Sequence, residues 1–287
     1  CDVIRNLSGM WQLLFADKWS WYLDVPQNLS PRLGGHFYAR DLRLMAKELE
    51  ALGGFEVTPE RLRGSIELYD VHRSLTEDVF KLRRTAPENV PTWELYLLLR
   101  AGLLLPVEEH SALLQEYLDA AGARVGKKRD NPRVIVAGAF CEQPPMGLIR
   151  TLERAGCYIV EDDFSLGQRW LRQPIHPAAD ADPFDALARA FLETSAQGAT
   201  RFHPDGEPKG QELVRMVREC EAEGVILASP SFCDPSLLDR PMITAALDRE
   251  GIPWTGFKYA ENTGQFQGIR EQAGTFSDSI RLWSEAS

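Results

Sequence analysis

The sequence predicts an α/β protein with a mainly parallel sheet in its carboxyl-terminal half, and three observations carry that reading. Four short apolar runs, at 133–138, 157–160, 224–228 and 253–258, have the length of buried strands. Segments with helical spacing separate each run from the next, which implies crossover connections and a sheet covered on both faces. Upstream, residues 37–123 show helical periodicity, so they predict a helical layer rather than a second sheet.

The elements follow in order. Cys1-Asp2 precedes a segment, 3–15, that reads as a helix. Residues 19–24 (WSWYLD) alternate and are rich in aromatics, which predicts a strand ended by Val25-Pro26-Gln27-Asn28. Gly34-Gly35 reads as a turn. Leu42, Leu44, Met45, Leu49 and Leu52 mark one face of a helix over 40–52. Thr58-Pro59-Glu60 supplies an N-cap, a first-turn proline and an early acid for a helix running toward Arg84. Pro91-Thr92-Trp93-Glu94 and Pro106-Val107-Glu108-Glu109 start two more. After a break at 126–132, helices are expected near 146–155, 183–195, 211–223, 235–249 and 265–283, between and beyond the four strands.

Composition narrows the function classes. Hydrophobic residues make up 44% of the 287 and charged ones 26%, a balance suited to packed globular cores. No apolar stretch approaches the length of a membrane span, and no charged-then-apolar leader opens the sequence. These features predict a cytoplasmic protein with no membrane partner. A formal net charge of -10 repels nucleic-acid phosphate, and no basic stripe offsets it. The one basic cluster, Lys127-Lys128-Arg129, reads as a solvated linker or as a grip for phosphate or CoA.

The five cysteines, Cys1, Cys141, Cys157, Cys220 and Cys233, are odd in number and widely spaced, which argues against a disulfide framework. Two lie in a repeated unit. Residues 133–145 (RVIVAGAFCEQPP) parallel 224–235 (GVILASPSFCDP): each is a strand, a small-residue turn, Phe-Cys-acid, proline and then a helix. Cys141 and Cys233 therefore fall just past strand carboxyl ends and at helix amino ends, where ligands bind in open α/β sheets and where partial positive charge favours a thiolate. Cys1 shares the acid-then-helix context. Cys157, at a strand start, and Cys220, late in a helix, face the opposite edge and read as small buried hydrophobes.

Three dispersed thiolates fit an iron–sulfur cluster ligated from several loops, a cysteine nucleophile, or plain buried thiols. Zinc-type Cys pairs, ferredoxin runs and paired-histidine motifs are missing from the sequence, and the five histidines are scattered. No glycine-rich dinucleotide fingerprint or P-loop is encoded. Glu161-Asp162-Asp163, at the end of the second strand, reads as a solvated loop or capping cluster ahead of a hard-cation site.

Around the acid-flanked cysteines the sequence resembles the 2-hydroxyacyl-CoA dehydratase and benzoyl-CoA reductase family. Residues 1–11 (CDVIRNLSGMW) look like its cluster-binding loop, and 231–235 (SFCDP) resembles its carboxyl-terminal cluster loop. Residues 257–280, 139–145 (AFCEQPP) and 105–110 (LPVEEH) are similar to the smaller core subunit of the ATP-dependent reductase branch.

The resemblance implies one [4Fe–4S] cluster per core subunit, held by three cysteines. Its implied partners are a homologous core subunit, ATP-hydrolysing iron–sulfur activator subunits and an acyl-CoA substrate, benzoyl-CoA in the reductase branch. The implied activity is oxidoreductase: low-potential electrons dearomatise the ring. The alternatives are a (R)-2-hydroxyacyl-CoA dehydratase subunit or a truncated, non-catalytic partner. Cys1 and Cys233 match ligand positions; Cys141 matches a reductase cysteine that either lines the pocket as a catalytic residue or ligates the cluster. The first family ligand lies upstream of the Cys-Asp loop, so the chain is expected to be a fragment. The expected organisation is a remnant of a first α/β domain with the cluster loop (1–30), a helical region (31–126) and a Rossmann-like second α/β domain (127–287).

Overall fold

The computed structural model describes residues 2–26, 28–138, 144–164, 173–178, 180–195, 207–260 and 266–284. Its elements are α1 (Asp2–Leu14), α2 (His36–Gly53), α3 (Pro59–Thr85), α4 (Thr92–Ala101), α5 (Val107–Gly122), β1 (Arg133–Ala137), α6 (Met146–Arg154), β2 (Tyr158–Asp162), α7 (Pro183–Ala190), α8 (Gln211–Glu219), β3 (Gly224–Pro230), α9 (Asp234–Arg249), β4 (Trp254–Tyr259) and α10 (Gln267–Ser284). The fold is α/β, as the strand and helix patterning implies. No described helix is long and apolar enough to cross a membrane.

The chain groups into two compact units, 1–65 with 177–192, and 66–176 with 193–287. In the first, α2 and α7 bury Tyr38, Ala39, Ala188 and Phe191, with Val25 and Leu42 packed against them. The start of α7 is fixed locally: the Asp182 carboxylate accepts from the Phe184 and Asp185 amides at 2.9 and 3.2 Å, and Pro183 presets the first helical residue. Gly34-Gly35 ends a single π-helical turn, Pro31–Gly35. The strand expected at 19–24 is not there. Those residues carry no regular element and have no described strand beside them, and alternation without a hydrogen-bonded neighbour does not make a strand.

In the second unit four parallel strands form one sheet in the order β2-β1-β3-β4. Its two faces are two separate cores, as the period of two along each strand requires. Val134, Val136, Ile226 and Ala228 pack with Leu148, Ile149, Leu152 and Ala273 from α6 and α10. Ile135, Ala137, Val225 and Leu227 pack with Leu213, Val217, Ile243 and Leu247 from α8 and α9. Each fully buried aliphatic side chain contributes roughly 1.5–3 kcal/mol, so the sheet is held from both sides.

The changes of element type near residues 30 and 126 differ from the boundaries of the packing units for a physical reason. The later turns of α3, with α4 and α5, have their own core of Val79, Phe80, Leu95 and Leu114, and are tied to the α/β layer. The Thr92 amide donates to Glu153 in α6 at 2.6 Å, and Tyr96 joins the α6–α10 core. Arg83, fully buried, donates to Asp162 at 2.7 Å and to Glu161 at 3.1 Å.

The strand order creates one switch point. From β1 the chain crosses to β2 on one side, whereas β3 lies on the other. The crevice outside the carboxyl ends of β1 and β3 is where such sheets bind ligands.

Candidate functional site at the switch point

Cys233 stands at this edge. It is the N-cap of α9 (φ -91°, ψ 82°), three residues past the end of β3, and it is free and buried. Its amide donates to the Pro230 carbonyl at 3.1 Å and its carbonyl accepts from Leu237 at 3.1 Å. The backbone is thus committed, and the thiol is the part left for chemistry. Ser231 pins the same loop to β4, since its amide and hydroxyl both donate to the Tyr259 carbonyl, at 2.8 and 2.9 Å. The expected placement of Cys233 at a strand carboxyl end and a helix amino end is what the fold contains. Cys1 and Cys141 lie outside the described residues.

On the other side of the switch point Gly138 follows β1. Its φ of +100° is left-handed, and a Cβ there would come within 3.2 Å of the Ala228 carbonyl, so glycine is required for both conformation and close approach. The Gly138 amide donates to both oxygens of Asp163, at 3.0 and 2.9 Å. Its carbonyl accepts from the Ser236 hydroxyl at 2.8 Å; Ser236 Oγ lies 3.0 Å from Ser229 Oγ, which accepts from Arg240 at 3.2 Å. The directions are fixed by chemistry, because a guanidinium only donates and a carbonyl only accepts. Protons therefore point one way, from Arg240 through Ser229 and Ser236 to the Gly138 carbonyl. Asp163 takes the amide of the same residue. A cation and an anion grip one glycine from opposite ends, and Ser229, Ser236 and Asp163 are all buried.

Arg240 also donates to the Leu227 and Phe257 carbonyls at 3.2 and 3.0 Å, and its Nε, also buried, has no partner. Burial pulls its basicity below the ordinary guanidinium value. Through the two carbonyls Arg240 ties β3 and β4 together at this edge.

The acidic run 161–163 corrects the expectation of a solvated loop. Glu161, Asp162 and Asp163 are all buried, because Arg83 and Arg84 in α3 neutralise the first two and Gly138 occupies the third. Burial pushes the Asp162 carboxyl up, against the pull of Arg83. No group of three metal-ligating side chains occurs among the described residues.

The two remaining cysteines are structural. Cys157 immediately precedes β2 and packs in the α6–α10 core, where burial pushes its thiol up to about 11. Cys220 caps the carboxyl end of α8 and packs in the opposite core, where burial and then nearby Glu161 also raise it to about 11. Neither is a thiolate near neutral pH.

Sequence spacing missed a pair of histidines. His72 on α3 and His110 on α5, 38 residues apart, meet at 2.6 Å between Nε2 and Nδ1. His110 Nε2 faces the Leu98 carbonyl at 2.8 Å and must donate to it, so its Nδ1 accepts from His72. Burial, then His110 and Arg73, lower His72 to about 4. Gly102 makes room for the His110 ring: a Cβ there would fall 2.5 Å from it.

Comparison with known proteins gives a consistent result. The family model described as 2-hydroxyglutaryl-CoA dehydratase, D-component, matches residues 1–280. The chain is 51% identical over 284 residues, 99% of its length and 73% of the relative, to a benzoyl-CoA reductase subunit of Thauera aromatica. It is 25% identical to the (R)-phenyllactyl-CoA dehydratase beta subunit of Clostridium sporogenes, over 98% of its length and 73% of that protein. With the (R)-2-hydroxyglutaryl-CoA dehydratase beta subunit of Acidaminococcus fermentans the figure is 24%, over 98% of the chain and 74% of the relative. The cysteine at the strand end and the match across the whole parallel sheet agree, and the chain belongs to the 2-hydroxyglutaryl-CoA dehydratase D-component family.

Proposed function

We propose that the chain is an iron–sulfur core subunit of an ATP-dependent benzoyl-CoA reductase. The observation that carries this reading is the 51% identity to a benzoyl-CoA reductase subunit along nearly the whole chain, against 25% and 24% for two dehydratase subunits. On this reading it is a cytoplasmic oxidoreductase subunit, paired with a homologous core subunit and fed by a separate ATP-hydrolysing iron–sulfur activator.

The donor chemistry at the switch point fits a [4Fe–4S] cluster. Cys233 is buried, free of disulfide and seated at a helix amino end past a strand, where its thiol is a candidate ligand for such a cluster. Cys1 and Cys233 are the proposed ligands, and Cys141 is the proposed pocket residue or further ligand. When bound, the cluster supplies single electrons at low potential to a thioester-activated ring. The residues of the chain do the rest. Cys233 tethers and charges the site. Asp163 and Ser236 hold Gly138, from which the segment carrying Cys141 departs.

The test uses the complex prepared without oxygen. Cys233→Ala removes both charge and tether, so most of this subunit's iron and the reduction of benzoyl-CoA are expected to be lost, while Cys220→Ala keeps both, at a packing cost of about 1 kcal/mol. Full iron and full ring reduction in the Cys233 variant would refute the ligand assignment. Turnover of a 2-hydroxyacyl-CoA in place of benzoyl-CoA would select the dehydratase reading.

A further inference from the structure

A second cavity, of about 420 Å³, opens at the opposite end of the sheet, beside the amino ends of β1 and β2. Its walls carry four cations: Lys127 and Arg129 from the loop before β1, and Arg150 and Arg154 from α6. None of the four has an ion-pair partner among the described residues, in a protein whose net charge is -10 and most of whose other arginines are paired with carboxylates or carbonyls. Glu88 and Glu153 also line the cavity, so cations outnumber acids there four to two, an excess of positive charge that a bound anion offsets.

The basic loop is held in place at both ends. The Gly126 amide donates to Asn89 Oδ1 at 3.1 Å, and the Arg129 amide donates to the Tyr158 hydroxyl oxygen at 2.8 Å. Gly126 must be glycine, because a Cβ would meet Asn89 Oδ1 at 2.5 Å and the Glu88 carbonyl at 3.0 Å. The cations are therefore presented by an anchored loop and a helix, and Lys127, Lys128 and Arg129 are exposed, as the reading of a solvated linker expects.

The remaining wall is suited to a ring rather than to a bare ion. Trp93 lines the cavity with the Arg150 guanidinium 5.7 Å from its ring centroid. Glu88 Oε2, also at this cavity, is buried and has no hydrogen-bond donor. Glu153, the other acid of the cavity, is already engaged by the Thr92 amide. A cluster of cations beside an aromatic face matches the phosphate and base of a purine nucleotide.

The geometry points to a binding site for a phosphorylated purine nucleotide, distinct from the switch-point edge. A five-residue strand spans about 17 Å, so a ligand here is separated from Cys233 by the length of the sheet. The shared chemistry has two sources, a free nucleotide or the nucleotide end of coenzyme A.

Calorimetric titration of the purified complex, with any ATP-hydrolysing component removed, tests this with ADP as the probe. Saturable ADP binding is expected, weakened roughly tenfold or more by the exposed pair Arg150→Glu and Arg154→Glu. Lys128→Glu, in the same loop but outside the cavity, serves as the charge control and is expected to change affinity by no more than about twofold. Displacement of ADP by coenzyme A assigns the site to the cofactor's nucleotide end; failure to displace assigns it to a free nucleotide. Inorganic phosphate binding as tightly as ADP would overturn the nucleotide assignment. No ADP binding at millimolar concentration, or binding equal in the double variant, would overturn the site.

Discussion

Replacing Asp163 with alanine tests whether the switch point is held as the hydrogen bonds imply. The side chain accepts the Gly138 amide with both oxygens, at 3.0 and 2.9 Å, in a position only 8% exposed. A hydrogen bond to a charged acceptor is worth about 1.5–3 kcal/mol, and a buried amide left without an acceptor bears a desolvation cost of similar size. These are two views of one loss, not additive, so Asp163→Ala is expected to cost about 2–3 kcal/mol. Asp163→Asn keeps one oxygen and loses the charge, and about 1 kcal/mol is expected. Urea denaturation measures the global effect. Hydrogen exchange on a peptide covering 133–146 measures the local one, and exchange at the end of β1 should rise in the alanine variant more than in the rest of the sheet. Iron content of the anaerobic complex is expected to fall with it, since the segment bearing Cys141 leaves from Gly138. A loss below about 0.5 kcal/mol with unchanged exchange would refute the anchoring role.

Two further outcomes follow from buried charge. Arg83→Met leaves Asp162 buried without its counter-charge and Glu161 with Arg84 alone, and a loss of about 3–5 kcal/mol is expected; Arg83→Met combined with Asp162→Leu should recover part of it, and equal losses in the two variants would contradict the pairing. His72 is held at about 4 against an ordinary 6.5, so between those values the unfolded chain binds a proton that the folded chain refuses, and stability falls as pH drops from 6.5 toward 4. With the ring only half buried, the loss is expected to be about 1–2 kcal/mol, read as a shift in urea midpoint that His72→Gln should abolish.

Much of the fold was legible because its signals are local. Capping residues set the start of α3, and short apolar runs marked all four strands to within a few residues. The helix amino end at Cys233 was legible for the same reason: Cys-Asp-Pro after a strand is a start signal that tertiary packing has no cause to override. What could not be read is non-local. A Glu-Asp-Asp run looks solvated until Arg83 and Arg84, some 77 to 79 residues earlier, are placed against it. The His72–His110 pair has no spacing signature because its partners sit on different helices. The aromatic alternation at 19–24 misled because a strand is a property of a pair of segments, and one segment displays only half of it.

The same distinction explains how the site edge is built. Cys233 could sit at the end of any strand by local rules alone, but a ligand held between two strand ends needs their loops in fixed register. Apolar packing supplies the register of β1 against β3 up to Ala137 and Leu227, and stops there because the loops leave the core. Beyond that point directional bonds take over: Arg240 through Ser229 and Ser236 on the carbonyl of Gly138, and Asp163 on its amide. Each bond is short-ranged and angle-dependent, so together they fix a position that dispersion forces would leave loose. A polar chain buried at this edge costs stability relative to an apolar one if any member is unsatisfied. Its presence where two cysteine-bearing segments leave the sheet is best explained by the precision those segments require.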